Sequence, residues 1–78
     1  MNNPALEKRL VDTVERTLRS RTSDLLMDQI LTIISGPKHG LDDLNSVLQK
    51  IRISVKLFVD EGLSDQVYHD LRAAANVS

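Results

Sequence analysis

The amino-acid sequence predicts an all-α fold: a small four-helix domain, with three main helices and a short C-terminal one, packed as an antiparallel bundle around an αα-hairpin. Three observations lead to this class. Apolar residues recur every three or four positions along most of the chain, as they do in amphipathic helices. Residues typical of helix caps and helix stops separate these segments. The connections between the segments are short, which favours antiparallel neighbours.

The first helix is expected over residues 4–19, with a proline at its first position, where the missing N–H costs nothing. Two pairs of opposite charge, Asp12 with Arg16 and Glu15 with Arg19, are spaced four residues apart and can form weak ion pairs on the outer face. The inward face is an apolar stripe made of Leu6, Leu10, Val14, Thr17 and Leu18.

The second helix is expected over residues 23–35. Thr22 or Ser23 can cap its start, Asp24 suits the helix dipole, and Gly36 ends it. Its apolar residues cover close to half of the circumference, which indicates a central helix with two or more neighbours. These residues are Leu26, Met27, Ile30, Leu31, Ile33 and Ile34.

The third helix is expected over residues 41–61, with Gly62 as its stop. Apolar residues alternate along it in steps of three and four, an a/d pattern that is long enough to predict a helix. The stripe consists of Leu41, Leu44, Leu48, Ile51, Val55 and Phe58.

The segment I-R-I-S-V-K-L-F-V, residues 51–59, can also be interpreted as a β-strand, because its apolar residues alternate. In that alternative it would pair in parallel with residues 29–35, around a crossover helix at 41–50. A helix-to-strand switch needs turn chemistry near Lys50, and the sequence has no Gly or Pro between residues 41 and 61. The helix is therefore the preferred interpretation.

The fourth helix is expected over residues 65–75, directly after the third. Ser64 is its predicted cap, and Leu63 can staple onto Tyr68. Its inward residues are Val67, Leu71 and Ala74.

Composition indicates one small domain over residues 1–78, with a core built from aliphatic side chains because the chain has one Phe, one Tyr and no Trp. Domains of this size often gain stability by self-association or by docking on a partner. No run of about 18 apolar residues exists, and the polar N-terminus carries no secretory h-region. We therefore expect no membrane segment and a cytoplasmic location.

Nothing in the sequence indicates catalysis, so we expect no enzyme activity, no cofactor and no metal. The absence of cysteine excludes disulfides, thiolate metal sites and a Cys nucleophile. His39 and His69 are the only histidines, and they form no H-x-x-x-H pair. No Ser-His-acid arrangement can be argued, and surface histidines are the simpler interpretation.

The sequence pattern places the predicted functional surface on one face of the third helix. Ile53 and Leu57 lie four residues apart on a face that otherwise carries Ser46, Lys50 and Asp60, so they are misplaced for a single core. Contact with a second copy or with a partner helix explains them, and a non-catalytic interaction, adaptor or regulatory protein, acting as a homodimer, follows as the expected function. Cover by the first or fourth helix, or simple exposure, are the alternatives.

The segment E-G-L-S-D-Q-V-Y-H-D-L-R, residues 61–72, resembles the turn and second helix of helix-turn-helix DNA-binding domains. The resemblance covers about 20 residues and lies in Gly62 at the turn, Leu63 after it, Ser64 as cap, and inward positions at Tyr68 and Leu71. It implies an alternative function, a small DNA-binding regulator.

Such a regulator would need basic side chains, most of them on the first helix. The candidates for nucleic-acid contact are Lys8, Arg9, Arg16, Arg19, Arg21 and Arg72. The net charge of −1, and the presence of Asp65 and Asp70 on the would-be recognition helix, act against attraction to phosphates. A protein is therefore the expected partner, and nucleic acid is not.

Overall fold

The structure, a computed structural model, describes residues 4–36 and 40–75. Within these ranges the chain forms four α-helices and no β-strand, so the predicted all-α class is confirmed. The helices are α1 (Pro4–Leu18), α2 (Asp24–Ser35), α3 (Leu41–Phe58) and α4 (Glu61–Ala74).

The helices pack as a closed ring of neighbours. α1 packs against α2 and α4, and α3 packs against the same two helices. α3 and α4 run antiparallel, because Gln49 contacts Tyr68 while Arg52, further along α3, contacts the earlier residue Asp65. The ring encloses one aliphatic core, to which each helix contributes part of the inward stripe expected from its periodicity. The buried apolar residues are Leu10, Val14, Leu18, Leu26, Ile30, Ile34, Leu44, Val47, Leu48, Ile51, Val55, Leu63, Val67 and Leu71.

The start of α2 follows from its cap. The Ser23 side chain accepts a hydrogen bond from the backbone N–H of Leu26 at 3.2 Å, so the predicted cap is confirmed and the helix proper begins one residue later. At the other end, the backbone N–H of Gly36 donates to the carbonyl of Ile33 at 3.3 Å. α1 ends at Leu18, one residue before the predicted end.

Residues 51–58 are helical, so the strand alternative is wrong. The helix ends earlier than predicted, at Phe58 instead of residue 61. The backbone N–H groups of Val59 and Asp60 both donate to the carbonyl of Val55, at 2.9 and 3.1 Å, and this shared acceptor closes the last turn.

α4 begins at Glu61, four residues before the predicted start, because Asp60 caps the helix and Ser64 does not. The Asp60 carboxylate accepts hydrogen bonds from the N–H groups of Gly62 at 2.7 Å and Leu63 at 3.4 Å. Ser64 is instead fully buried in the first turn, where its hydroxyl donates to the carbonyl of Glu61 at 2.7 Å. Gly62 therefore lies inside α4, and the staple that assumed Ser64 as the cap is also wrong.

Phe58 is the clearest correction to the predicted core. Periodicity placed it with Ile51 and Val55, which are fully buried, yet Phe58 is 70% exposed. α3 has 18 residues, whereas its neighbours have between 12 and 15. At about 1.5 Å per residue it is several ångströms longer than any of them. Val55 in its last turn is still covered, whereas Phe58, its last residue, is not.

Candidate functional site

Exposed apolar side chains cluster at the C-terminal end of α3. Ile53, Leu57, Phe58 and Val59, here called the α3 patch, have exposed fractions of 53%, 72%, 70% and 36%. They fall within seven consecutive residues at one end of α3, where Ile53 and Leu57 share a face and Phe58 follows Leu57 around the helix by about 100°. Apolar patches of this kind on small proteins mark places where another molecule binds.

The four residues predicted as the interaction surface share the outer face of α3. Ser46 and Lys50 are exposed, like Ile53 and Leu57, and steps of three and four residues put all of them on one side of the helix. Neither α1 nor α4 covers Ile53 and Leu57. The structure thus brings these residues together at the surface. It also exposes Phe58, which periodicity had assigned to the core, and Val59.

Charged side chains of both signs lie near this outer face. Lys50 lies one turn before Ile53, and the exposed residues Asp60 and Glu61 follow the patch at the start of α4. Both hydrogen bonds that cap α4 use Oδ1 of Asp60. α3 itself has acidic residues in its first turn, Asp42 and Asp43, and a basic residue, Lys56, in its last.

Another exposed apolar residue lies outside this patch. Leu25, in the first turn of α2, is 71% exposed. It lines a shallow depression on the outer surface of α2 together with Gln29, Thr32 and Ile33. The depression draws its described lining from α2 alone, so it offers a single-helix surface to a ligand.

The α3–α4 seam carries a polar cluster centred on Tyr68, which the sequence did not predict. The Tyr68 hydroxyl accepts hydrogen bonds from Gln49 Nε2 and Arg72 Nη1, each at 3.0 Å. The Cζ atoms of Arg52 and Arg72 lie 5.0 and 5.6 Å from the ring centroid, within the range of cation–π attraction. Arg52 also forms a 3.0 Å ion pair with Asp65. The cluster fastens α3 to α4 beside the patch.

The residues predicted to contact nucleic acid lie in two different environments. On α1 and the turn after it the basic side chains are exposed, and Arg19 forms the predicted ion pair with Glu15 at 2.9 Å. The other predicted pair, Asp12 with Arg16, does not form in the described part of the chain. Arg72 is half-buried and held by Tyr68. The exposed basic residues are Lys8, Arg9, Arg16, Arg19 and Arg21.

The α3–α4 pair differs from a helix-turn-helix arrangement. Helix-turn-helix units join two strongly inclined helices by a turn of three or four residues. Here only Val59 and Asp60 separate the helices, and two side-chain contacts three residues apart, Gln49 with Tyr68 and Arg52 with Asp65, join them. The glycine and serine that carried the resemblance are first-turn residues of α4. Gly62 is therefore not in the turn and Ser64 is not the cap, the two roles that the resemblance gave them.

A cleft between α1 and α2 lies near the turn that joins them. The cleft has a volume of about 200 Å³ and is open to solvent. It is lined by Glu15, Arg19, Thr22, Asp24, Met27, Asp28 and Leu31. Across the described ranges, no three His, Asp or Glu side chains come together as metal ligands. His69 is exposed on α4, and His39 lies outside the described residues.

Comparison with known proteins gave no similarity on which to base a function: no family model, curated protein or solved structure matches the chain. Among the helices of the described ranges, none combines the length and the apolar character that crossing a bilayer requires.

Proposed function

We propose that the protein is a non-catalytic interaction module, an adaptor or regulator that acts in the cytoplasm by docking the α3 patch onto a protein partner. The observation that supports this most directly is the exposure of two adjacent residues at the C-terminal end of α3. The side chains of Leu57 and Phe58 are 72% and 70% exposed. A partner that covered them would remove apolar surface from water, which favours binding.

The size of the gain is sufficient for a specific contact. Full burial of one large aliphatic or aromatic side chain contributes roughly 1.5–3 kcal/mol. Covering the exposed parts of Ile53, Leu57 and Phe58 therefore supplies several kcal/mol, from which the entropy of association must be subtracted. An interaction of moderate affinity fits a patch of this extent.

The shape of the patch favours a helix as the partner's binding element. Ile53 and Leu57 form an i, i+4 ridge, and such ridges pack into the grooves between side chains of a second helix. A second copy of this chain and a different helical protein both satisfy this requirement.

The test compares two single substitutions at leucines of equal exposure. Leu57→Lys lies in the patch, whereas Leu25→Lys, the matched control, lies on α2 and is 71% exposed. Both variants should keep the helicity of the wild type by circular dichroism. We expect L57K, and not L25K, to abolish association measured by light scattering over a concentration series and by capture of partners from cell extract.

The proposal fails if the wild type is monomeric at every concentration and if L57K captures every protein that the wild type captures. A result in which L25K and L57K act alike would also contradict it, because the effect would then belong to any exposed leucine and not to the α3 patch.

A DNA-binding regulator is the second candidate, favoured by the basic side chains exposed on and just after α1. Binding to phosphates would fall steeply as salt rises, because counterions are released from the nucleic acid. A gel-shift with mixed duplex DNA at low salt tests this, with Arg9→Gln/Arg16→Gln as the variant expected to weaken any complex. Unretarded DNA would remove this candidate.

A further inference from the structure

The Tyr68 cluster at the α3–α4 seam holds more hydrogen-bond donors than acceptors. Each guanidinium group, of Arg52 and of Arg72, has five N–H donors and no acceptor. The hydroxyl of Tyr68 accepts two hydrogen bonds, from Gln49 Nε2 and Arg72 Nη1. Its own O–H donates to no group in the described part of the chain. The cluster can therefore hold a ligand that supplies acceptors.

Arg72 also lacks a counter-ion. Its side chain is half-buried, yet no carboxylate of the described residues lies within ion-pair distance of it. The acids that precede it on α4 have other partners. Asp65 pairs with Arg52 at 3.0 Å, and Asp70 accepts a hydrogen bond from Thr17 of α1 at 3.5 Å. Because a cation held partly out of water is stabilised by a nearby anion, the charge of Arg72 favours an anionic ligand.

We propose that this cluster, here called the seam site, binds the phosphate group of a phosphate monoester or of inorganic phosphate. Arg72 supplies the charge and several N–H donors, the Tyr68 hydroxyl supplies its O–H, and the second amide proton of Gln49 supplies a further donor. A phosphate monoester has three free oxygens, so it can accept from all three side chains at once. A carboxylate or a phosphodiester has only two.

The ring of Tyr68 holds both arginines in place before any ligand binds. The Cζ atoms of Arg52 and Arg72 lie 5.0 and 5.6 Å from the ring centroid, and Arg72 is fixed further by its hydrogen bond to the hydroxyl. Side chains that are fixed in advance lose less conformational entropy on binding. Gln49 is exposed and the side chain of Arg52 is 40% exposed, so a small anion can reach the donors from solvent.

Nuclear magnetic resonance titration of the 78-residue chain tests the seam site, with inorganic phosphate and phenyl phosphate as probes. We expect saturable shifts of the Gln49 side-chain amide signals and of the Arg72 Nε–H signal. Arg72→Gln should weaken binding about tenfold or more, because it removes the charge that pairs with the anion. Tyr68→Phe keeps the ring and should weaken binding about fivefold through the lost O–H donor. Arg19→Gln, at an exposed arginine paired with Glu15, is the control and should change nothing.

Three results would overturn the seam site. They are shifts that do not saturate, R72Q binding phosphate as tightly as the wild type, and R19Q weakening binding as much as R72Q. Circular dichroism checks that each variant keeps the wild-type helicity. Should R72Q lose helicity, the same test rests on Y68F, where wild-type affinity would overturn the proposal.

Further anions test the chemistry of the ligand. Acetate and dimethyl phosphate, each with two free oxygens, should bind more weakly than inorganic phosphate, and equal affinity for either would overturn the assignment to a phosphate group. Both remaining outcomes support the seam site and identify the source of that group. Phenyl phosphate binding at least as tightly as inorganic phosphate indicates an ester, whereas binding of inorganic phosphate alone indicates the free ion.

Discussion

Ile51 and Ile53 carry the same side chain two positions apart on α3, and the structure buries the first completely while leaving the second 53% exposed. In a strand the two would share a face. The helical period separates them by more than half a turn. Ile51 therefore lies in the core and Ile53 in the α3 patch.

This pair gives the first prediction. Ile51→Ala should lower the free energy of unfolding by about 2–5 kcal/mol, because it opens a cavity in the core. Ile53→Ala should lower it by less than about 1 kcal/mol, since the side chain is largely in water already. Urea denaturation at low protein concentration, where self-association is weak, measures both.

Equal losses for I51A and I53A would contradict the helical assignment of this segment, because only a shared environment could produce them. The ratio of the two losses in unfolding free energy therefore tests the helical assignment more directly than either loss alone.

Capping at Asp60 gives the second prediction. Asp60→Ala removes the acceptor for two backbone N–H groups at the start of α4 and should cost about 0.5–2 kcal/mol. Asp60→Asn keeps an oxygen acceptor and should cost clearly less, with the remainder reflecting lost interaction with the helix dipole. Thermal unfolding followed by circular dichroism compares the two variants.

Ser64→Ala is the control for the position first expected to cap. If D60A left stability unchanged while S64A lowered it by about 0.5–2 kcal/mol, Ser64 would be the cap and α4 would begin later than the structure shows.

The start of α3 can be improved, which is the third prediction. Gly40 occupies the N-cap of α3 with extended backbone angles and no capping side chain, and a Cβ added there meets nothing within 4 Å. Gly40→Ser adds an acceptor and restricts the unfolded chain, so it should raise stability by about 0.5–1 kcal/mol. Gly40→Ala, which restricts the chain but is a poor cap, should leave stability nearly unchanged.

The expected order in the midpoint of urea denaturation is G40S above wild type, with G40A close to wild type. A destabilised G40S would show that the start of α3 cannot accept a side chain, against the open space around Gly40.

The ends of a helix could be predicted from the sequence where a nearby capping or stop residue determined them. The starts and ends of α1 and α2 lie within one residue of their predicted positions. Thr22, the competing cap, is adjacent to Ser23 and its hydroxyl donates to the carbonyl of Leu18 instead. At the α3–α4 junction two good capping residues, Asp60 and Ser64, lie four residues apart. Burial of Ser64 in the core decides between them, and burial depends on tertiary packing.

The candidate surface was predictable in part for a similar reason. Periodicity identified Ile53 and Leu57 as outside the core stripe, and both are exposed. It could not identify Phe58, because a period gives the direction of a side chain and not the length of the helices that cover it. The Tyr68 cluster was equally hidden, since it depends on the register between two helices.

The Tyr68 cluster gives the last prediction, because its ring and its hydroxyl can be tested separately. Tyr68→Phe removes the acceptor of Gln49 and Arg72 but keeps the ring, and should cost about 0.5–1.5 kcal/mol. Tyr68→Leu also removes the ring beneath Arg52 and Arg72, and should cost about 0.5–2 kcal/mol more. Urea denaturation supplies both values. Equal losses for Y68F and Y68L would mean that the cations gain nothing from the ring, and that the hydroxyl alone fastens this part of α3 to α4.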